Sequence, residues 1–298
     1  MVVTLNWNGA SDTERCLASV VPELPPGSEV VVIDNGSSDE DVAAVTAVVA
    51  RYPSVSLIRN SANLGFAGGC NVGLDHALRQ GADFILLINN DAVVEPGAIA
   101  TLVEHMDSRP RTGMASPVVL DMSGERVWAA GGVRATREVV CRLGMARCAP
   151  SDVPTEPFQP YALIGCAIII RREVVETVGR LEEAYFAYVE DVDYSLSVRD
   201  AGWTIDVVPS ARVRHVIAAS TGGGYSPLRG YLLARATALF VRRRAALDQR
   251  VGFALAAPAG LVVAALREIP RGNGRAVAAK LKGYVDGLLG RPVRAEYF

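Results

Sequence analysis

Through the first 120 residues, short apolar runs alternate with longer stretches in which an apolar residue recurs every three or four positions. The runs at 2–7, 29–34, 55–59, 83–89 and 114–120 contain few polar residues, as strands buried on both faces do. The stretches at 13–21, 39–51, 69–80 and 96–106 have helical spacing, and several open on a Ser, Asp or Pro able to cap a first turn. This alternation predicts an α/β domain with a mostly parallel sheet and helices on both faces. From 121 to 160 the pattern weakens into Gly, Pro and Arg, which predicts an excursion reaching toward a substrate. A strand at 161–170, a helix at 171–178, an acidic stretch at 182–193 leading into a helix, and a strand pair at 203–208 and 211–216 follow. From about 227 the spacing predicts two or three amphipathic helices broken at Pro258 and Pro270. The apolar stretch 251–266 is interrupted by Gly252, Pro258 and Gly260, so it reads as too short and too broken for the roughly 20 apolar residues of a spanning helix.

In open α/β sheets, ligands collect beyond the carboxyl ends of the strands. The second predicted strand ends in Asp34-Asn35-Gly36-Ser37-Ser38-Asp39. That places a carboxylate where it can accept the N3–H of a uracil or thymine, although a turn capped by Ser38 or Asp39 explains the same residues. Asn63 to Asn71 form a Gly-rich loop opening a helix, suited to phosphate, yet with neither G-x-G-x-x-G nor G-x-x-x-x-G-K-[ST] spacing. The fourth strand delivers Asn89-Asn90-Asp91 to the same edge, and such an oxygen-rich tip suits Mg²⁺ or Mn²⁺ as well as it suits a capped turn.

The stretch Tyr185 to Tyr194 sets Glu190, Asp191 and Asp193 at a helix start behind a group of aromatics. Half-buried like charges have raised pKa values, which makes these carboxylates candidate general bases. His215, one of three histidines, ends the last predicted strand just before Ser220-Thr221-Gly222-Gly223-Gly224, a loop able to close over a ligand.

Composition narrows the picture further. Of 298 residues, half are apolar, 21% are charged, and 28 Gly with 16 Pro supply many turns, which excludes disorder, collagen and coiled coil. Five cysteines without CxxC spacing, and no secretory signal, argue for a reducing, cytoplasmic setting and against a disulfide framework. The net charge of -2 conceals an imbalance, since residues 229–298 hold 13 Lys/Arg against 4 Asp/Glu. The basic tail points to an anionic surface, and its scarcity of aromatics disfavours nucleic acid. Peripheral contact with the inner face of a membrane is one reading; packing of the tail on the rest of the chain, or on a second copy in a homodimer, is the other.

Taken in order, Asn6-Trp7-Asn8-Gly9, Val32 to Asp39, Asn63 to Gly69, Leu87 to Asp91, Gly165-Cys166-Ala167, Glu190-Asp191-Val192-Asp193 and His215 resemble the family 2 glycosyltransferases of GT-A fold. Within that family the chain is most similar to the bacterial rhamnosyltransferase group of cell-envelope polysaccharide assembly. The resemblance implies a GT-A catalytic domain over 1–226, with a nucleotide-sugar half at 1–120, an acceptor half at 161–226 and a basic helical region at 227–298. It implies that Asn6, Asp34, Asn63, Gly65, Asn71, Asn89 and Asn90 bind a dTDP- or UDP-linked sugar. Asp91 and His215 would hold a divalent cation, Mg²⁺ or Mn²⁺. Asp191 would be the base, with Glu190 beside it, in an inverting single displacement onto a hydroxyl of a glycan or lipid-linked acceptor. Asn89 departs from the pattern, standing where an Asp is usual and leaving fewer charged ligands. Two other activities are weighed. A nucleotidyltransferase needs a basic Gly-rich loop where this chain has Asn8-Gly9-Ala10-Ser11-Asp12, while a sugar-nucleotide-binding protein without catalysis has no need of the carboxylate cluster. A transferase acting on a soluble natural product is the further alternative.

Overall fold

The computed structural model describes residues 1–137, 140–216 and 226–294. The loop Ser220 to Gly224 lies outside the described residues. Four parallel strands come first: β1 (Val2–Asn6), β2 (Val30–Asp34), β3 (Val55–Arg59) and β4 (Phe84–Asn89). Helices α1 (Ala10–Val20), α2 (Asp39–Val49) and α3 (Gly65–Arg79) connect them. After β5 (Ala92–Val94) and α4 (Ala98–Ser108) the sheet continues with β6 (Thr112–Asp121) and β7 (Val127–Ala129). A separate hairpin of β8 (Gly132–Arg134) and β9 (Cys141–Leu143) precedes β10 (Ala167–Arg171), α5 (Arg172–Thr177), α6 (Glu190–Asp200) and β11 (Thr204–His215). The strand order is β3-β2-β1-β4-β10-β6-β11-β5, with β7 against β6. The β10 strand runs antiparallel to both neighbours, and β5 antiparallel to β11, so the parallel half is followed by a mixed half.

Strand alternation sorts the core into two layers. Val2, Val30, Val32, Leu86 and Ile88 face α1, α2 and α4, while Val3, Val31, Ile33, Ile85 and Leu87 face α3, α5 and α6. Each such side chain contributes about 1.5–3 kcal/mol of hydrophobic stabilisation relative to exposure.

Several sequence expectations are corrected. The strand expected at 161–170 begins only at Ala167: Tyr161 and Ala162 make a single bridge to Gly132 of β8, and then the Leu163 N–H donates to Ser195 Oγ and the Gly165 N–H to Asp191, tying this backbone to α6. The expected pair at 203–208 and 211–216 is the single strand β11 with a register shift between Val208 and Arg212. The helix expected at 69–80 starts at Gly65, since its glycines, poor helix formers, are there for contact: a Cβ on Gly69 or Gly73 would lie 2.3 Å from Leu5 or 2.2 Å from Val3. The excursion at 121–160 contains three short strands.

The C-terminal region forms α7 (Pro227–Arg243), α8 (Leu247–Glu268) and α9 (Gly274–Leu289). Pro258 does not break α8: it sits on the exposed side, as does Ala254, whose carbonyl it leaves without a helical donor. Among the described residues this is the one helix long and apolar enough to cross a membrane by length and composition, which revises the expectation of a broken stretch. Helix α7 is packed into the domain, with Tyr231 and Phe240 fully buried and Phe240 in one cluster with Tyr185, Val189 and Val192. Helix α9 runs beside α7 through small residues, a Cβ on Gly283 falling 2.3 Å from the Tyr231 carbonyl. Gly283→Leu should therefore cost about 1–3 kcal/mol through overpacking. In thermal melts that is a fall of roughly 2–4 °C per kcal/mol, whereas Ala278→Leu on the exposed side should leave the midpoint nearly unchanged.

Candidate active site

The carboxyl ends of β1, β2 and β4 carry Asn6, Asp34 and Asn89, and parallel pairing sets these tips side by side. Asn6 is fully buried, and its amide donates to Asp34 Oδ1 at 3.1 Å and to Asp41 Oδ2 at 2.7 Å, while its own Oδ1 accepts from Thr13. Asn6 thus holds Asp34 in place. The other Asp34 oxygen has only a 3.5 Å approach from the Ser37 N–H and keeps capacity to accept. Asn90 donates to Thr13 Oγ1 at 3.0 Å, joining the same network. Asn35, unremarked beyond its turn in the sequence, is its hub on the next side. It donates to Asn63 Oδ1 and the Gly65 carbonyl, both at 3.0 Å, and accepts from Asn60 and from the Leu64 N–H.

The Gly-rich loop owes its glycines to close approach. Gly65 has φ +76°, and a Cβ there would stand 2.5 Å from the Phe186 carbonyl, which also accepts the Ala67 N–H. Asn71 lies one helix turn further on, with its amide on the Leu181 carbonyl and Glu183 and its oxygen on the Leu181 N–H. Those partners leave Asn71 as a strut between α3 and 181–183, apart from the strand-tip network.

Asp91 and His215 meet at the opposite side of the cleft, Oδ1 to Nε2 at 3.0 Å and both buried. Register explains the meeting: β11 pairs with β5 so that His215 stands opposite Ala92, and the Val216 N–H donates to the Asp91 carbonyl. Trp128 of β7 packs against the imidazole, ring centroids 4.6 Å apart and planes tilted by 51°, a contact that nothing in the weakly patterned excursion announces. His215 Nδ1 and Asn89 Oδ1 are buried without a hydrogen-bond partner among the described residues. An aspartate oxygen 3.0 Å from an imidazole nitrogen is a donor pair of the kind that Mn²⁺ or Mg²⁺ takes. No group of three or more His, Cys, Asp or Glu gathers for a metal among the described residues.

Asp191 lies at the start of α6. Its Oδ2 accepts the Gly165 N–H at 2.7 Å and its Oδ1 the Val192 N–H at 2.8 Å. Cys166, next to Gly165, accepts the Asn89 N–H at 2.8 Å, so two backbone bonds link Asp191 to the tip of β4. Burial raises the Asp191 carboxyl above its ordinary range, against the pull of these N–H groups. Glu190 is raised well above its own, first by burial and then by the Asp191 charge, and its Oε2 has no partner among the described residues. Asp193 lies 3.2 Å from Arg244, the residue that follows α7. The segment entering α6 is strained: Phe186, Tyr188 and Val189 have φ of 67°, 69° and 72°, left-handed values rare for aromatic and β-branched residues. Such backbone persists where its surroundings over-determine it, and it clusters at active sites.

Comparison with known proteins agrees with this geometry. The family described as Glycosyl transferase family 2 matches residues 1–179. The N-acetylglucosaminyl-diphospho-decaprenol L-rhamnosyltransferase of Mycobacterium tuberculosis is 30% identical over 244 residues, covering 74% of this chain and 77% of that protein. The dTDP-rhamnosyl transferase RfbF of Shigella flexneri is 24% identical over 221 residues, 72% of this chain and 71% of its own. Among solved structures, GalNAc-T7 with UDP, GalNAc and Mn²⁺ superposes with a TM-score of 0.63 at 19% identity, over 80% of this chain and 47% of that longer one. The mannosyltransferase PcManGT of Pyrobaculum calidifontis, in complex with GDP-Man and Mn²⁺, gives 0.60 at 18% identity over 96% and 86%. With the family match running through the strand that ends in Asp34 and the turn that holds Asp91, this chain belongs to the family 2 glycosyltransferases and has their GT-A fold.

Proposed function

We propose that this glycosyltransferase moves rhamnose from a dTDP- or UDP-linked donor to a hydroxyl of a lipid-linked glycan, with inversion, at the cytoplasmic face of the cell. The observation that carries the reading is Asp191, a carboxylate of raised pKa fixed by two backbone N–H groups and tied through Gly165 and Cys166 to the tip of β4. The rhamnose and the lipid-linked acceptor rest on the names of the two relatives. Residues 1–226 are read as the catalytic unit, with the nucleotide sugar on 1–120 and the acceptor on 161–226, and 227–298 as its helical support.

In this reading the free oxygen of Asp34 accepts from the nucleobase, while Asn6, Asn35, Asn63 and Gly65 hold the shape of its pocket. Asn90 braces the turn ahead of Asp91, and Asn89 Oδ1 remains open to the donor. Asp91 and His215 would hold a divalent cation, which offsets the charge growing on the leaving diphosphate. Asp191 takes the proton of the acceptor hydroxyl while that oxygen bonds the anomeric carbon and the carbon–diphosphate bond breaks on the opposite face. One displacement inverts the centre without a covalent enzyme intermediate. Glu190, its pKa pushed well up by burial and by the Asp191 charge, orients the acceptor beside that base.

Asp191→Asn keeps the shape but cannot take the proton, so turnover should fall by about 10²–10⁴, with donor binding by calorimetry little changed. A far larger loss in Glu190→Gln would exchange the two roles. Transfer should stop in EDTA and return with Mg²⁺ or Mn²⁺, and Asp91→Ala should be inactive; full activity in EDTA would overturn the cation assignment. The raised pKa of Glu190 also predicts a stability signature. A carboxyl whose folded pKa lies above its unfolded one contributes stability that is complete below the unfolded value and is lost as pH rises through the folded one. Glu190→Gln does not ionise. Its melting point should exceed the parent's at pH 8, and the gap should close toward pH 4.

A further inference from the structure

Helix α8 is amphipathic in the wrong direction for a soluble protein. Its inner edge is Gln249, Phe253 and Ala257, while Val251, Leu255, Pro258, Val262, Val263 and Leu266 are exposed, Leu255 at 72% and Leu266 at 74%. Between Val251 and Leu266 every exposed position is apolar, a stripe about 24 Å long at 1.5 Å per residue. Only 11% of the most apolar 18-residue window of this helix is buried. An exposed apolar surface of this extent marks an interaction site.

The charges around the stripe indicate what meets it. Arg250 stands at one end and Arg267, Arg271 and Arg275 at the other, all exposed, within a region of 13 Lys/Arg against 4 Asp/Glu. A second copy docked about a two-fold axis would set these cationic ends against one another. An anionic lipid surface meets both the apolar stripe and its basic ends.

The fold also fixes the orientation. At its start, α8 is held to the catalytic domain by Gln249 donating to the Ala135 carbonyl at 2.9 Å and by the Arg134–Asp248 pair at 2.6 Å. At its end it turns into α9, which runs parallel to α7, Ala276 beside Gly230 and Gly287 beside Arg235. Both ends of α8 therefore remain on one body, which prevents it from crossing a bilayer while α9 stays docked.

We propose that α8 lies in the plane of an anionic bilayer, its Val251–Leu266 stripe among the acyl chains and its arginines at the headgroups. Val251 and Leu255 also line a groove of about 1000 Å³ shared with Thr136, Gly252 and Ala256. On the hairpin around Thr136, a Cβ on Gly132 would meet both Cys141 Sγ at 2.4 Å and Ile164 at 3.2 Å, and Ile164 precedes Gly165, whose N–H donates to Asp191. In the docked pose the groove opens at the lipid surface, giving the apolar part of a lipid-linked acceptor a route toward Asp191. That consequence rests on the reading above; the docking itself does not.

Flotation of the full chain with vesicles tests it. The chain should float with phosphatidylglycerol-containing vesicles at low salt, about tenfold less with phosphatidylcholine alone, and less in high salt. Val262→Asp with Leu266→Asp, both outside the groove, should lower the floated fraction about tenfold while release of nucleoside diphosphate without vesicles matches the parent. A parent that stays at the bottom of the gradient overturns the proposal, as does flotation that the double variant retains. A dimer in light scattering that the double variant dissolves assigns the face to a second copy instead. Flotation without nucleoside diphosphate release leaves the docking standing and removes the transferase reading.

Discussion

The hydrogen bond from the Gly165 N–H to Asp191 joins the two halves of this molecule. It takes a backbone donor out of the run that would otherwise extend β10, and gives it to a carboxylate at the start of α6. One residue on, the chain re-enters the sheet and Cys166 receives the Asn89 N–H, so the tip of β4 and the acidic helix are held in one frame. A Cβ on Gly165 would stand 3.3 Å from that carboxylate, a tight contact that a glycine avoids. Without this bond, burial would raise the Asp191 pKa further.

The strain before α6 is sustained from two sides. Ala67 and Gly65 of α3 close on the Phe186 backbone, and Arg235 of α7, itself buried, donates to the Ala184 and Tyr185 carbonyls. Three left-handed residues, each costing about 1–3 kcal/mol, need such clamps. The C-terminal helices are thereby more than an appendage. Arg235 also donates to the Arg291 carbonyl, and the Tyr231 hydroxyl donates to Asp286, so α9 and the residues after it fasten the helix that holds the backbone before α6 in its unusual path.

This attachment divides the labour among the last three helices. The α7–α9 pair faces inward through small residues, while α8 packs against it more lightly and turns its leucines and valines outward. Buried carboxylates thus lie in the acidic body, at the strand tips and the start of α6, and exposed arginines stand at both ends of α8 in the basic tail.

What could be read from the chain alone is what depends on neighbours in sequence. Apolar runs of five or six residues ending in Asp34 or in Asn89-Asn90-Asp91 announce strands with polar tips, because burial on both faces leaves no other place for a carboxylate than the end. Glu190 and Asp191 stand out for the same reason, as charges beside aromatics. The partners of those residues depend on register and on chain returns of a hundred residues or more, which no local pattern encodes. His215 reaches Asp91 only because β11 pairs with a three-residue strand too short to notice, and Trp128 covers that imidazole from a segment without periodicity. The glycines of 65–73 look like a phosphate loop in sequence, and packing turns them toward Phe186, Leu5 and Val3. Composition likewise recorded an apolar stretch interrupted by Pro258. Only the tertiary structure decided that it stays helical and faces outward, since the side a proline falls on depends on what the rest of the chain packs against.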